Sequence, residues 1–413
     1  MKKFFVLFAM FFLSSLLLAQ NVTTGGKESL QIKGFLSATF FAQDQLFYFG
    51  NGQNAEMAFS NNTNKQWFYG GDIRNSRLTM VFNGPEVTND WKLGGVLELD
   101  AFNDPVNTGA FGGQVWTPRV RLAYVDLVHE NMTIRFGQAW DPLFGNVPVS
   151  LSHIAFPLGY GSAGDVGWRF PGIFFYYKFD SNSSTHVSLD AAVMAGSWAS
   201  PGSSPSFTTG GNSGTPQFEL RLNVENKFSG GGVFKAYVAG HYAEVNLAGI
   251  GDSLTNNLTS TAGELGASFS SNGFMVHGNV YTGKNIGQQF GELTQFRIGN
   301  SPLTMDLSST GGWAQAGYAF ESGWGIYGFY GTEKVNKDDL VTLLTAQGNN
   351  VSGNRYKNNT YDIMVKYATG PFEIGVEYLH SKMTFITFPA PFFETTENTY
   401  DGTQIALSTL YKF

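Results

Sequence analysis

Residues 403–413 read TQIALSTLYKF, and this closing stretch decides the fold. Ile405, Leu407, Tyr411 and Phe413 fall on one face of an extended chain and Gln404, Ser408 and Lys412 on the other, with Thr409 a polar residue within the apolar side. A period of two marks a half-buried strand. Its length suits a strand that crosses a bilayer, which needs about 9 to 11 residues, better than the 5 or 6 usual in soluble sheets. Earlier segments repeat the pattern. Trp91–Asp100 sets Trp91, Leu93, Gly95, Leu97 and Leu99 against Lys92, Gly94, Val96, Glu98 and Asp100. Gln217–Glu225 sets Phe218, Leu220, Leu222 and Val224 against Glu219, Arg221, Asn223 and Glu225.

About sixteen such segments run along the chain: Leu30–Gln43, Arg77–Asn83, Trp91–Asp100, Arg119–Val128, Met132–Gln138, Trp168–Phe179, His186–Met194, Gln217–Glu225, Gly232–Leu247, Thr261–Ser271, Gly273–Thr282, Gly312–Phe320, Trp324–Gly331, Tyr356–Ala368, Phe372–Thr384 and Thr403–Phe413. Tight links such as Ser271-Asn272, Glu321–Gly323 and Thr369–Pro371 alternate with long ones such as Asp44–Gly71, Ala195–Pro216 and Gly283–Gly311. One rim is therefore short and the other long. Backbone amides cannot go unpaired in hydrocarbon, so the sheet must close and its last strand must pair with its first. The expectation is an all-β, transmembrane, antiparallel up-and-down β-barrel, with short periplasmic turns, long extracellular loops and both termini on the periplasmic side.

The other end of the chain names a compartment. Met1-Lys2-Lys3, an apolar run from Phe4 to Leu18 and small Ala19 read as a secretory signal peptide over residues 1–19. A short periplasmic tail, 20–29, then precedes one barrel domain over 30–413. No long apolar run follows, and the mean hydropathy is −0.11 with 42% hydrophobic residues, which excludes a helical membrane protein. Aromatic residues reach 15% and glycines number 51 while charged residues stay at 14%, a balance unlike a soluble domain and like a sheet whose outer face meets lipid. Cysteine is absent, so there is no disulfide framework or thiolate metal site. Without Lys2 and Lys3, 23 basic residues face 32 acidic ones, a net charge of −9. An acidic chain argues against a nucleic-acid partner.

Asp141–Gly167 (DPLFGNVPVSLSHIAFPLGYGSAGDVG) is the third long link and is too apolar for an exposed loop. Just before it stands Arg135-Phe136-Gly137-Gln138-Ala139-Trp140. This strand and the terminal Phe413 resemble those of the sixteen-stranded trimeric porins of Gram-negative outer membranes, and the Gly-Gln-x-Trp run is similar to that of their DcaP-like branch. The resemblance implies that Asp141–Gly167 folds into the lumen as a constriction, and that the chain is a homotrimeric outer-membrane diffusion channel rather than an enzyme. It also implies that Tyr411 and Phe413 form the signal read by the outer-membrane assembly machinery. Lipid, lipopolysaccharide and small polar solutes are the expected partners, with no cofactor and no metal. A receptor or adhesin barrel with a closed lumen, or a barrel hydrolase, is the alternative; local sequence offers no Ser-His or Asp-His pairing for the latter.

Strand parity supplies the expected pore lining. Arg119 and Arg121 point inward with Val120, Leu122 and Tyr124 outward, and Arg135 points inward with Ile134 and Phe136 outward. Arg169 and Lys92 are candidates to join this basic wall, the parity of Arg169 being left open by a bulge expected at Pro171-Gly172; Glu98, Asp100, Asp141 and Asp165 are its acidic counterparts, and His153 lies in the inserted loop. Rings of arginine favour anions, so the channel leans to anionic or carboxylated solutes unless each arginine is neutralised by a carboxylate. Gly323–Gly328 matches a dinucleotide-binding pattern, but lies in a hairpin where that fingerprint requires a helix. Trp91, Tyr361, Tyr367 and Tyr378 fit a headgroup belt, whereas Trp313, Tyr281 and Tyr237 face inward and fill the lumen. Glu333 with Asp338-Asp339 marks a loop edge that could meet cations bridging lipopolysaccharide.

Overall fold

The computed structural model describes residues 20–23, 28–48, 50–58, 65–88, 90–101, 118–179, 184–196, 213–246, 257–291, 293, 306–346, 355–387 and 395–413. Residues 1–19, read above as a signal peptide, lie outside them. The sixteen barrel strands are β1 Ser29–Gln43, β2 Arg77–Thr88, β3 Trp91–Asp100, β4 Arg119–His129, β5 Met132–Trp140, β6 Arg169–Lys178, β7 Thr185–Met194 and β8 Gln217–Lys227. They continue as β9 Val233–Asn246, β10 Asn257–Ser271, β11 Phe274–Lys284, β12 Ser308–Ala319, β13 Trp324–Val335, β14 Arg355–Thr369, β15 Phe372–Thr387 and β16 Thr396–Lys412. Each pairs antiparallel with its sequence neighbours, and β16 returns to β1 from Phe35↔Lys412 to Gln43↔Gln404. The sheet has no free edge along its length, as a lipid solvent requires.

Alternation sorts the side chains as the pattern predicts. On β8, Phe218, Leu220 and Leu222 are exposed and Glu219 is buried; on β16, Ile405, Leu407 and Tyr411 are exposed while Gln404 and Ser408 are buried. A barrel that shows apolar residues outward and polar ones inward is built for a bilayer. Several strands of the second half run further towards the long loops than the sequence predicts, β13 to Val335, β15 to Thr387 and β16 back to Thr396. Above the lipid belt the outward face no longer needs to be apolar, so the alternation fades while the hydrogen bonding continues. Two short strands complete the sheet. Phe68–Asp72 extends along the upper edge of β1. Gln20–Thr23, expected as tail, pairs with its lower edge from Gln20↔Ile32 to Thr23↔Ser29. The Phe413–Gly34 backbone pair sits just above, so the N-terminal segment lies in line with β16.

A single bulge corrects one reading. Between Glu98↔Leu122 and Leu99↔Val120, Arg121 has no partner on β3, so parity flips and Tyr124 faces inward, not outward. Its ring lies 3.5 Å from the Arg135 guanidinium carbon. Bulges re-aim side chains in this way, and here Gln138 holds the bulge by donating to the Arg121 carbonyl at 2.9 Å.

Candidate functional site: the lined and looped lumen

Loop Asp141–Gly167 crosses the barrel interior, as its contacts with distant strands demand. Leu143 N–H donates to Glu219 on β8 at 3.0 Å, and Asn146 donates to carbonyls of Ala267 and Gly278 on β10 and β11 at 2.9 and 2.8 Å. Val149 exchanges two hydrogen bonds with Gln315 on β12. Glu377 on β15 then accepts the Leu151 and Ser152 amides and the Ser150 hydroxyl. The return limb is held by Gly164 donating to Glu333 at 3.3 Å, and by Gly167 donating to the Gln289 carbonyl at 2.7 Å. Gly164 adopts φ +97 and approaches Gly312 so closely that a Cβ would sit 2.2 Å from its nitrogen, so only glycine serves there.

Asp141 and Asp165 were expected to neutralise arginines, and neither does. Asp141 clasps the two ends of the loop, accepting the Phe144 and Trp168 amides at 2.9 Å each. Asp165 closes a tight turn through its backbone, its amide donating to the Gly159 carbonyl at 3.1 Å. Burial pushes the Asp165 carboxyl well above the usual carboxylate range, and Glu264 and Asp141 add to this. Glu56 of the first loop is shifted the same way by burial, with the Ser162 hydroxyl opposing and Asp165 adding. His153 is packed, its Nε2 2.9 Å from the Ala55 carbonyl and its Nδ1 2.8 Å from the Ser152 hydroxyl. Glu333 is buried beneath Gly164, and Asp339 accepts the Ser308 amide at 3.0 Å in the first turn of helix α1, Lys337–Ala346. That edge is therefore a packed seam, with Asp338 alone of the three exposed.

The basic wall forms at two levels. At the top, Arg119 makes a bidentate pair with Asp100 at 2.9 and 2.7 Å, and Arg121 bridges Glu98 and Asp100 at 2.9 and 2.8 Å. Arg77, which parity reasoning overlooked although it heads a predicted strand opposite Asp100, lies 3.8 Å from Glu98. Arg169 completes this group: its guanidinium carbon lies 4.2 Å from the Trp168 ring centroid and 4.8 Å from that of Trp140. It is 3% exposed. Its Nε and Nη1 have no hydrogen-bond partner, and no carboxylate reaches it, among the described residues. One level down, Arg135 pairs with Asp126 at 2.8 and 2.9 Å between the rings of Tyr124 and Tyr176. Lys92 sits at the far end of β3 from Asp100, about 27 Å away at 3.4 Å per residue, and does not join the cluster.

Aromatic rings face the upper group. Trp140 stacks on Phe144 at 3.7 Å, Tyr160 on Phe290 at 4.8 Å, and Arg119 lies 5.4 Å from the Phe156 ring. Trp313 and Tyr281 are buried on the inner wall and Tyr237 donates to Glu264, so these inward aromatics fill space as expected. Gly323–Gly328 is turn and strand, and β13 runs on unbroken to Val335, so no helix opens at the glycines.

One constellation escaped local sequence reading. The Ser260 hydroxyl lies 3.0 Å from His241 Nε2, and His241 Nδ1 lies 2.8 Å from Glu219. The residues come from three adjacent strands, where register and not spacing brings them together. The order is that of a hydrolytic triad, but Ser260 is 2% exposed and Glu219 also holds the Leu143 amide. The relay braces the inserted loop. No group of three or more His, Cys, Asp or Glu suited to a metal occurs among the described residues.

No family model and no curated protein matches the chain. Solved structures do. The outer membrane channel DcaP of Acinetobacter baumannii superimposes with a TM-score of 0.68 at 17% identity, covering 96% of this chain and 100% of that one. The anion-selective porin of Comamonas acidovorans gives 0.56 at 11% identity over 94% and 100% of the two chains. Salmonella typhi OmpF, in complex with daunomycin, gives 0.54 at 13% identity over 95% and 100%. The fold is that of the sixteen-stranded outer-membrane porins.

Proposed function

We propose that the chain forms a water-filled outer-membrane channel for passive diffusion of small polar solutes, with a preference for anionic and carboxylated ones. The observation that carries this reading is Arg169, a buried guanidinium with two unpartnered nitrogens and no carboxylate among the described residues. Burying an ion costs several kcal/mol, whereas each cation–π contact returns at most about 2 kcal/mol. Trp140 and Trp168 therefore offset only part of the cost, and a solute's negative charge supplies the rest. Around it four arginines, Arg77, Arg119, Arg121 and Arg169, face two carboxylates, Glu98 and Asp100. Fields decay over about 8 Å at physiological salt, so the acidic balance of the distant loops reaches this point weakly.

Reversal potentials under a KCl gradient test the proposal. Anion preference is expected, and Arg169→Gln should reduce the anion-to-cation permeability ratio about twofold or more. Cation preference in the native channel, or an unchanged ratio in the variant, ends it. Liposome swelling separates this channel from a closed receptor barrel: correctly inserted protein that leaves liposomes sealed supports the receptor.

Three further proposals concern assembly. Residues 1–19 are removed on export. Barrels associate as homotrimers through the outward face of β1 and its extension, where Phe40 is 68% and Tyr69 90% exposed beside small Ala38 and Ala42; chemical cross-linking of native membranes should trap a three-chain species. Tyr411 and Phe413 serve as the assembly signal, so Phe413→Ala should lower the amount of inserted barrel while the conductance of each inserted channel stays unchanged.

A further inference from the structure

Below the inserted loop, on the short-turn side, lies a second polar cavity of about 570 Å³. Its cationic lining is Lys178 from β6, Arg221 and Lys227 from β8 and Lys235 from β9, and its carboxylates are Asp190 and Glu225. All point into the lumen, because the register sets Lys178 on the face of Ser188, Asp190 opposite Arg221, and Glu225 opposite Lys235. Four cationic groups against two carboxylates leave two positive charges uncompensated. Arg221 is committed to Asp190 at 2.8 Å and to the Pro142 and Phe144 carbonyls at 3.1 and 3.0 Å. Lys227 and Lys235 share Glu225 at 3.2 and 2.9 Å. Lys178 has no carboxylate within ion-pair distance among the described residues. The surplus therefore resides on Lys178 and on the Lys227–Lys235 pair, across the cavity from each other.

We propose that this cavity is an exit subsite for a polyvalent oxyanion, a reading that rests on the anion channel proposed above. A monovalent ion can neutralise one of the two surplus charges, whereas a polyvalent one spans both. Ammonium groups act as compact, rotatable charges that impose no planar geometry, so the cavity selects valence over shape. Its roof distinguishes it from a solvated rim of lysines. Gly145 and Asn146 close it from above, and Asn146 is fixed by bonds to Ala267, Gly278 and the Tyr237 hydroxyl. Walls of low dielectric then focus the field on the ligand. Along β6 the subsite lies nine residues from Arg169, about 30 Å at 3.3 Å per residue, several screening lengths away. The surplus charge on Lys178 is therefore screened from Arg169, although the roof of the cavity reaches the upper group through Phe144 and Trp140.

Planar bilayers in about 0.1 M KCl, with citrate added on the short-turn side of the full-length channel, test this. Citrate should block the current in a voltage-dependent way. A Lys178→Gln, Lys235→Gln double variant should weaken the block about tenfold or more, and Glu225→Gln, which frees both partner lysines, should strengthen it. Native conductance in KCl alone shows that the variants are folded. Equal block in the native channel and the double variant, or no strengthening by Glu225→Gln, overturns the proposal. The KCl reversal potential reports separately on the Arg169 cluster. Its failure would remove the anion channel and leave the lysine dependence of citrate block to be read by itself.

Discussion

The two walls of the lumen use charge in opposite ways. On β2 to β6 the arginines are paired with carboxylates side chain to side chain, and the pairing stops short of Arg169. On β8 to β15 the carboxylates Glu219, Glu333 and Glu377 accept backbone amides of the inserted loop, and Glu377 alone takes two amides and two hydroxyls. The first wall leaves a surplus of charge for a solute to meet. The second spends its charge on holding a loop in place. On the channel reading proposed above, a chain that is acidic overall therefore presents a basic constriction.

Breaking the holding wall should have the largest effect. Glu377→Ala removes an acceptor of four hydrogen bonds, worth about 6 kcal/mol of loop anchoring at roughly 1.5 kcal/mol each for a charged acceptor. Single-channel conductance should rise and become noisy, and the loop should gain sensitivity to added protease; a native conductance would show that the wall does not hold the loop. Next, Asp100→Asn strips Arg119 and Arg121 of a shared partner, a loss of about 3 kcal/mol for a broken buried pair. The barrel should unfold at a lower temperature on a gel-shift assay while its anion preference increases. The smallest change is a pH effect. Because burial raises the Glu56 carboxyl, the folded state holds a proton that the unfolded state releases, so stability falls as pH rises from the ordinary carboxylate range upward. Protection of the first loop from protease should decline as pH rises above the ordinary carboxylate range, and Glu56→Gln should flatten the profile.

How far the sequence spoke follows the same division. The strands, the two unequal rims, the closure of β16 on β1 and the inserted loop were legible, because a lipid solvent forces alternation on one face and forbids a free edge. Parity set Arg119, Arg121 and Arg135 on the face where their ion pairs with Asp100, Glu98 and Asp126 lie, and left Arg169 open. Of their named counterparts, Glu98 and Asp100 do pair with Arg119 and Arg121, whereas Asp141 and Asp165 pair with no arginine among the described residues, and Asp126, which holds Arg135, went unnamed because that choice depends on register across strands. Tyr124 was misassigned because one extra residue at Arg121 reverses the parity beyond it. The Ser260, His241 and Glu219 relay left no local trace, its members being separated by whole strands.

The short N-terminal strand has a kinetic consequence. Hairpins form locally, but the closing seam joins residues as far apart as Thr39 and Ser408, which are hydrogen-bonded, and bringing such ends together costs about 5 kcal/mol of chain entropy. An open ribbon searching for its own edge could settle one or two residues out of step, and a one-residue slip would turn every side chain to the wrong face. With Gln20–Thr23 seated on the lower edge of β1 and Phe413 opposite Gly34, only Lys33 separates the two occupants. The arriving strand therefore meets a mechanical stop, and the seam can slide past its native register in one direction only.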